Sequence, residues 1–115
     1  MDESILDSLK NMLGILPNDT AFDNELISHI NAFISNLTDI KIGPEEGFIV
    51  EDVTTTWGDF VSDISIMAAV REYLYAAIRL VFDPPSNSFV VTSLEKAKDE
   101  AFWRLYMKAD NKKEG

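Results

Sequence analysis

The sequence predicts an all-α protein, a small four-helix bundle-like domain with an irregular insert between its second and third helices. Two observations predict this class. Apolar residues recur with the helical period in four segments, and most glycines and prolines fall between those segments. The 115 residues are the length of one domain. We expect a helical domain over residues 1–107, followed by a polar C-terminal tail over residues 108–115.

The first two helices are predicted from their end signals and their apolar faces. The first spans about residues 4–13, with Gly14 as its C-terminal cap and Pro17 preventing its continuation. The second begins after Thr20, whose hydroxyl stands at capping-box spacing from Asp23. The apolar positions of the first helix are Ile5, Leu6, Leu9, Met12 and Leu13. Those of the second are Phe22, Leu26, Ile27, Ile30, Phe33, Ile34 and Leu37.

Residues 40–56 lose the helical pattern. Gly43, Pro44 and Gly47 interrupt the chain, and residues of these types are typical of turns. Phe48 and three consecutive threonines at positions 54–56 favour extended backbone. The sequence therefore predicts that the insert is a loop with a possible short strand.

The third helix is expected to open with a short turn at Trp57, because Thr56 and Asp59 stand at capping-box spacing. Its main body is expected over about residues 63–82. The charged residues between positions 66 and 82 are Arg71, Glu72 and Arg79. They are too few to make one face of the helix solvated. The helix is therefore central in the bundle, or it faces another subunit as well as its own core.

Two prolines separate the third helix from the last one. Pro84 moves Asp83 out of the helical region and Pro85 has no N–H to donate, so the third helix ends near Phe82. The last helix is expected over about residues 88–109. Side-chain oxygens that can cap it belong to Ser86, Asn87 and Ser88. The two helices thus form a hairpin with an elbow at the prolines.

Asp83 is an acid at the C-terminal end of a helix, where it opposes the helix macrodipole. It therefore needs a partner. Arg79, one turn earlier, and Arg104, on the returning helix, are both candidates. Alternatively, the Asp83 carboxylate caps the N–H groups of the last helix. We prefer an elbow-stabilising hydrogen bond to a direct role in binding a partner.

The negative charge is confined to the first half of the chain. Residues 1–63 carry 13 acidic side chains against two lysines, a net charge of −11, whereas residues 64–115 have a net charge of +1. A surface with this much negative charge repels the phosphate backbone of DNA, which argues against a protein that recognises DNA sequence. Two interpretations stay open. The acids form an ordinary solvated face, or they line a channel through which DNA slides without binding.

No catalytic, cofactor or metal site is predicted, and we expect no enzymatic activity. His29 follows Glu25 by one helical turn, but a metal needs more ligands and nothing nearby completes a set. Glu45 and Glu46 lie in a predicted loop, where a fixed acid–base geometry is hard to maintain. The chain has no cysteine, no phosphate-binding loop and no apolar run that would span a membrane.

Four aromatic residues lack the basic companions that nucleic-acid stacking requires. We interpret them as core or subunit-interface residues. They are Trp57, Phe102, Trp103 and Tyr106.

The order of these parts resembles the head–tail connector, or adaptor, proteins of long-tailed bacteriophages. The similarity rests on an apolar helix that ends in Phe82-Asp83-Pro84-Pro85, followed by Ser86-Asn87-Ser88-Phe89-Val90 and then by Trp103-Arg104-Leu105. Upstream it includes Leu13-Gly14-Ile15, the helix over residues 23–37, and Thr56-Trp57-Gly58-Asp59-Phe60. It covers roughly residues 4–107.

The resemblance implies a structural protein of the virion neck that is assembled in the host cytoplasm. It implies a homo-oligomeric ring, usually dodecameric, which binds the portal protein on one face and a stopper or tail-completion protein on the other. DNA would pass through the channel without specific binding, and neither a cofactor nor a membrane is involved. The alternative that we keep is a small acidic regulatory protein that mimics DNA.

Two groups of residues are the candidates for assembly contacts. The elbow and interface candidates are Arg79, Asp83, Pro84, Pro85, Trp103 and Arg104. The candidates for docking to the portal through the tail are Lys108, Lys112 and Lys113.

Overall fold

The computed structural model of the chain describes the backbone of residues 3–114 and the side chains of residues 3–109. Within that part the regular structure is helical, which confirms the all-α prediction. The five helices are α1 (Ile5–Leu13), α2 (Asp23–Asp39), α3 (Trp57–Phe60), α4 (Ile64–Phe82) and α5 (Ser88–Glu114). The protein measures 43 × 34 × 20 Å along its principal axes.

Helix α4 is the centre of the bundle, the first of the two arrangements that its low charge predicted. It packs against α1, α2 and α5. Its buried residues are Ile66, Met67, Ala69, Val70, Tyr73, Leu74, Ala76, Ala77 and Ile78. Because buried residues lie on most of its circumference, few positions are left for a solvated face.

Helix α1 begins and ends where the sequence predicted. The Ser4 hydroxyl accepts a hydrogen bond from the Asp7 N–H (3.1 Å), and Gly14 closes the helix with a left-handed backbone (φ 81°). One position of the predicted apolar face is wrong. Met12 is 38% exposed, and Lys10 is buried instead, with 1% of its surface accessible.

The buried Lys10 also explains why the predicted cap of α2 is wrong. The Lys10 ammonium lies 2.9 Å from the Asp23 carboxylate and donates a hydrogen bond to the Pro17 carbonyl (3.1 Å). Asp23 is thus engaged by a cation on α1 and does not close a capping box with Thr20. The helix begins at Asp23 with Phe22 as a cap residue that makes no side-chain hydrogen bond.

The possible short strand in the insert is not formed, since the described residues contain only an isolated bridge between Ser4 and Thr56. The Asn31 side chain holds the insert on α2 instead. Its amide accepts a hydrogen bond from the Val50 N–H (2.8 Å) and donates one to the Val50 carbonyl (3.1 Å). The ring of Phe48 packs on that of Phe60, with centroids 5.0 Å apart. Because a side chain satisfies the backbone of Val50, no partner strand is needed.

The predicted ends of α3 and α4 are confirmed. Thr56 and Asp59 form the reciprocal capping box, with hydrogen bonds of 3.2 and 3.0 Å between each side chain and the other residue's N–H. Asp63 caps α4 by accepting a hydrogen bond from the Ser65 N–H (2.9 Å).

Helix α5 is longer than predicted. Its backbone is helical to Glu114 rather than to Ala109, so the polar residues from 108 onward continue the helix. The sequence Lys108-Ala109-Asp110-Asn111-Lys112-Lys113-Glu114 contains several strong helix formers and no glycine or proline. Gly115 lies outside the described residues.

Candidate assembly surfaces

The elbow between α4 and α5 is held by local hydrogen bonds. The Asp83 N–H donates to the Arg79 carbonyl (3.2 Å), and the Arg79 guanidinium lies 3.6 Å from the Asp83 carboxylate. Of the two candidate partners of Asp83, Arg79 is the one that meets it, and among the described side chains no ion pair joins Asp83 to Arg104. The ion pair is largely solvated, with Asp83 64% exposed, so it contributes little to stability.

The N-terminal cap of α5 is Asn87. Its side-chain oxygen accepts hydrogen bonds from the N–H groups of Phe89 (2.8 Å) and Val90 (3.3 Å). Asn87 was one of the three predicted caps, whereas the alternative cap, Asp83, takes no part. Together with the fixed φ angles of Pro84 and Pro85, this cap sets the direction in which α5 leaves the elbow.

Several large apolar side chains are exposed around the elbow. Val81 is 50% exposed, Phe89 77% and Val90 40%. Phe82 packs edge-to-face on Phe22, with ring centroids 5.4 Å apart, and Phe22 is itself 44% exposed. This end of the hairpin therefore presents apolar surface of the kind that marks a protein contact.

The aromatic residues predicted as core or interface fall into two groups. Trp57 is fully buried and its indole N–H donates to the Ser8 hydroxyl (3.0 Å), while Phe102 is half-buried against the core. Trp103 and Tyr106 stack on each other on the outer side of α5, with centroids 5.8 Å apart and rings inclined by 17°. They are 60% and 45% exposed. The two stacked rings are rigid, exposed and amphipathic, as contact residues of interfaces often are.

Charged residues surround Trp103. It lines a shallow groove on α5 with Lys96, Asp99, Glu100 and Arg104. Between positions 96 and 108 the helix carries four bases and two acids. Two of these bases, Lys96 and Arg104, and both acids line the groove, so the aromatic patch on the outer face of α5 lies among charges of both signs.

The acidic residues of the insert form a second surface. Glu45, Glu46, Glu51 and Asp52 are all exposed. The Thr54 hydroxyl and N–H both donate to the Asp52 carboxylate, which holds the pKa of that carboxyl below its usual range. Since Glu45 and Glu46 lie on this exposed loop, no enclosed acid–base pair is formed.

The tail candidates are placed only in part. Lys108 is exposed at the end of the described side chains. With Lys41 and Phe60 it lines a cleft of about 580 Å³ between the insert, the α3–α4 connection and α5. The side chains of Lys112 and Lys113 lie outside the described part, although their backbone belongs to α5.

A polar network near the N-terminus was missed by the sequence analysis. The Glu3 carboxylate accepts a hydrogen bond from the Ser8 hydroxyl (2.8 Å) and another from the Arg71 guanidinium (3.3 Å). These two contacts lower the pKa of Glu3, the Ser8 hydrogen bond more than the arginine charge. Arg71 also lies over the Trp57 ring, 4.8 Å from its centroid. Residues so far apart in sequence carry no shared signal, so sequence reasoning could not have joined them.

Histidine and carboxylate groups do not assemble into a metal site in the described part of the chain. The His29 imidazole lies 3.7 Å from the Glu25 carboxylate on the exposed side of α2. Among the described residues, no group of three or more potential ligands is present. None of the helices in this part has both the length and the hydropathy that crossing a membrane requires.

The chain matches a known protein family over most of its length. A family model described as phage connector protein matches residues 5–112. No curated protein and no solved structure matches the chain well enough to be compared with it. The family match extends from α1 into the last turn of α5 and thus includes the elbow and both exposed surfaces. The chain therefore belongs to the phage connector family, whose members are structural proteins of the phage neck.

Proposed function

We propose that this protein forms a ring in the virion neck that joins the capsid portal to the stopper or tail and surrounds the DNA exit channel. The proposal extends the connector role of the family. The observation that carries it is the presence of two unlike exposed surfaces, the acidic insert and the aromatic outer face of α5. In this proposal the protein is assembled in the host cytoplasm and has no catalytic step.

A closed ring requires two such surfaces on each subunit. Neighbours in a ring meet through heterologous contacts, so the patch on one side of a subunit must complement a different patch on the other side. The net charge of −11 over residues 1–63 and of +1 over residues 64–115 supplies unlike surfaces. The proposed ring has twelve subunits, the number that the resemblance implies.

The excess of exposed acid also suits a channel for DNA. Carboxylates on a channel wall repel phosphates and give the DNA no attractive site at which to stop. The first half of the chain supplies these carboxylates with few compensating bases. This part of the proposal predicts that the isolated protein does not retain duplex DNA at physiological salt.

The C-terminal part of α5 is proposed to dock on the portal. In this division, residues 1–107 form the helical domain and residues 108–115 the docking segment, with Lys108, Lys112 and Lys113 as its cations. Ala109 is only 8% exposed and belongs to the core, so a truncation should keep it. We expect deletion of residues 110–115 to weaken portal binding about fivefold or more while the melting temperature is retained.

The deletion is tested by sedimentation with portal rings, together with the full-length triple variant Lys108→Gln, Lys112→Gln, Lys113→Gln. If the lysine charges make the contact, the triple variant should lose binding as the deletion does. Unchanged binding of both proteins would move the docking site to another surface.

The proposed function as a whole is tested by electron microscopy of the protein mixed with purified portal rings. We expect an added ring on one face of the portal, coaxial with its channel. The alternative, an acidic DNA mimic, predicts a monomer or dimer in solution that ignores portal rings and binds a basic DNA-binding protein. An acidic protein of similar size serves as the control for nonspecific attachment.

A further inference from the structure

We propose that neighbouring subunits join through an acidic loop, residues 46–53, that packs on the outer face of α5 of the next copy. This inference rests on the proposed ring and identifies its two complementary surfaces. The partner is a second copy of this chain, and the contact is head-to-tail.

The acidic loop is held in a fixed shape with apolar side chains pointing outward. Val50 is 1% exposed, and the Asn31 side chain makes hydrogen bonds to both its N–H and its carbonyl. Burial of Val50 turns its neighbours away from the core, and Ile49 is 67% exposed while Glu51 is also exposed. Val53 adds a second apolar side chain that is 44% exposed. A fixed loop loses little conformational entropy when it binds.

The charge of the loop is uncompensated. It contains Glu46, Glu51 and Asp52, and the sequence has no lysine or arginine from position 42 to position 70. An apolar contact made by this loop therefore needs a partner that also supplies cations.

The outer face of α5 offers both features. Trp103 is 60% exposed and Met107 39% exposed, and they lie one helical turn apart. Lys96 and Arg104 line the groove of Trp103 together with Asp99 and Glu100, and within the described residues neither cation forms an ion pair. Exposed aromatic and sulfur-containing side chains next to free cations match the apolar and acidic residues of the loop.

Two neighbouring grooves along α2 separate the acidic loop from α5. Asn31, Ser35 and Thr38 line a groove with the acidic loop. Asn36 and Ile40 line the second groove with Phe102 of α5, and Asp39 borders both grooves. One subunit can therefore use its loop toward one neighbour and its α5 face toward the other. A two-fold contact between two loops would instead place like charges together, which is unfavourable.

The contact can be tested by cysteine cross-linking, since the chain has no cysteine of its own. The single variants Val53→Cys and Glu100→Cys are mixed, assembled on portal rings and oxidised. Both substitutions spare Ile49 and Trp103. We expect a covalent dimer that contains one copy of each variant. In the control mixture, Leu16→Cys takes the place of Val53→Cys and should give no such dimer, because Leu16 is also exposed (69%) but lies outside the acidic loop.

Charge reversal gives a second test that does not depend on disulfide geometry. Glu51→Arg and Arg104→Glu should each weaken subunit association about fivefold or more, because each places like charges in contact. The double variant should recover most of the loss. Glu25→Arg, on the exposed side of α2, is the matched control and should leave association unchanged.

The outcomes separate this inference from the proposed function. If the wild-type protein does not bind portal rings, the proposed function is wrong. Cross-linking in concentrated solution then still decides whether the acidic loop contacts α5 of another copy. If the wild-type protein adds a ring but residues 53 and 100 do not cross-link and the charge swap fails to recover association, the inference alone is overturned. Cross-linking of Glu100→Cys with itself would show a two-fold contact and would also overturn it.

Discussion

Lys10 is a charged residue in a fully buried position. Its side chain is 1% exposed, and its ammonium meets one carboxylate and one backbone carbonyl. The contact with Asp23 is an ion pair and not a well-aligned hydrogen bond, although the atoms are 2.9 Å apart. Burying a charge costs several kcal/mol unless a partner offsets it. The pair therefore fixes the start of α2 against α1 without contributing much net stability.

Removing one partner of this pair should be more harmful than removing both charges. We expect Asp23→Asn to lower the free energy of unfolding by about 3 kcal/mol, because the Lys10 ammonium stays buried without a counter-charge. The double variant Lys10→Met, Asp23→Asn should be more stable than Asp23→Asn alone. Urea denaturation measures both, and Asp19→Asn, on the exposed turn, is the control. A double variant less stable than the single one would show that the pair itself stabilises the fold.

Glu3 gives the molecule a pH-dependent contact. Its pKa is lowered from 4.5 in the folded protein, so the carboxylate is favoured there more than in the unfolded chain. Its stabilising contribution is therefore present at neutral pH, begins to be lost as pH falls below about 4.5, and is gone below the folded pKa. Glu3→Gln should cost about 1 kcal/mol or less at pH 7, because Glu3 is largely exposed.

The difference between wild type and Glu3→Gln is measured by denaturation at several pH values. It should shrink as pH falls through the carboxylate range. Glu25→Gln, whose carboxylate lies 3.7 Å from the His29 imidazole, is the control. A difference that stays constant with pH would show that Glu3 acts by packing and not by charge.

At the scale of elements, the α4–α5 elbow decides where the last helix lies. Helix α4 ends at Phe82, and Asp83 has a non-helical backbone (φ −144°, ψ 68°). Pro84 excludes the helical conformation at Asp83, and Asn87 starts α5 with two hydrogen bonds. The direction of α5 in turn places Trp103 and its neighbours on the surface.

Replacing both elbow prolines should change assembly more than it changes folding. In Pro84→Ala, Pro85→Ala, α4 is free to continue past Phe82, which redirects α5 and with it the aromatic patch. We expect helix content by circular dichroism to be retained or slightly raised and portal docking to fall. Pro17→Ala, at the exposed turn after α1, is the control. Normal docking of the double variant would show that packing of α5 on α4 sets the angle without the prolines.

At the scale of the whole molecule, charge and shape act together. The protein is a flat body 20 Å thick in its smallest dimension, with acids concentrated in the first half of the chain and exposed aromatic residues on α5. A flat subunit with unlike sides is suited to stand beside copies of itself in a ring. In the proposed ring, apolar contacts would set the affinity and the charges would help to select the orientation.

Salt should therefore weaken assembly without abolishing it. Exposed charges are screened beyond about 10 Å at 0.1 M salt. We expect the affinity of the subunits for one another or for the portal to fall between low and high salt, measured by sedimentation. Glu51→Gln should reduce the salt dependence, whereas Glu25→Gln should not. Assembly that is insensitive to salt would leave apolar packing as the main contribution.

Much of the fold follows from local signals in the sequence. Ser4 and Gly14 bound α1, the Thr56–Asp59 capping box starts α3, and Pro84 ends α4, because each acts on the backbone within one turn. Such signals need no tertiary contact, so they are readable from the chain alone. The exposed pair Trp103 and Tyr106 was also among the predicted core or interface aromatics.

Contacts between residues distant in sequence decided the features of the fold that local signals did not predict. Asp23 left its predicted capping role because Lys10 of α1 lies beside it, and the insert forms no strand because Asn31 of α2 satisfies Val50. The sequence by itself determined the helices, most of their ends and the separation of charge along the chain. Only the tertiary structure decided which charges are buried and which aromatic residues face outward, because burial depends on what packs against a residue and not on its neighbours in sequence.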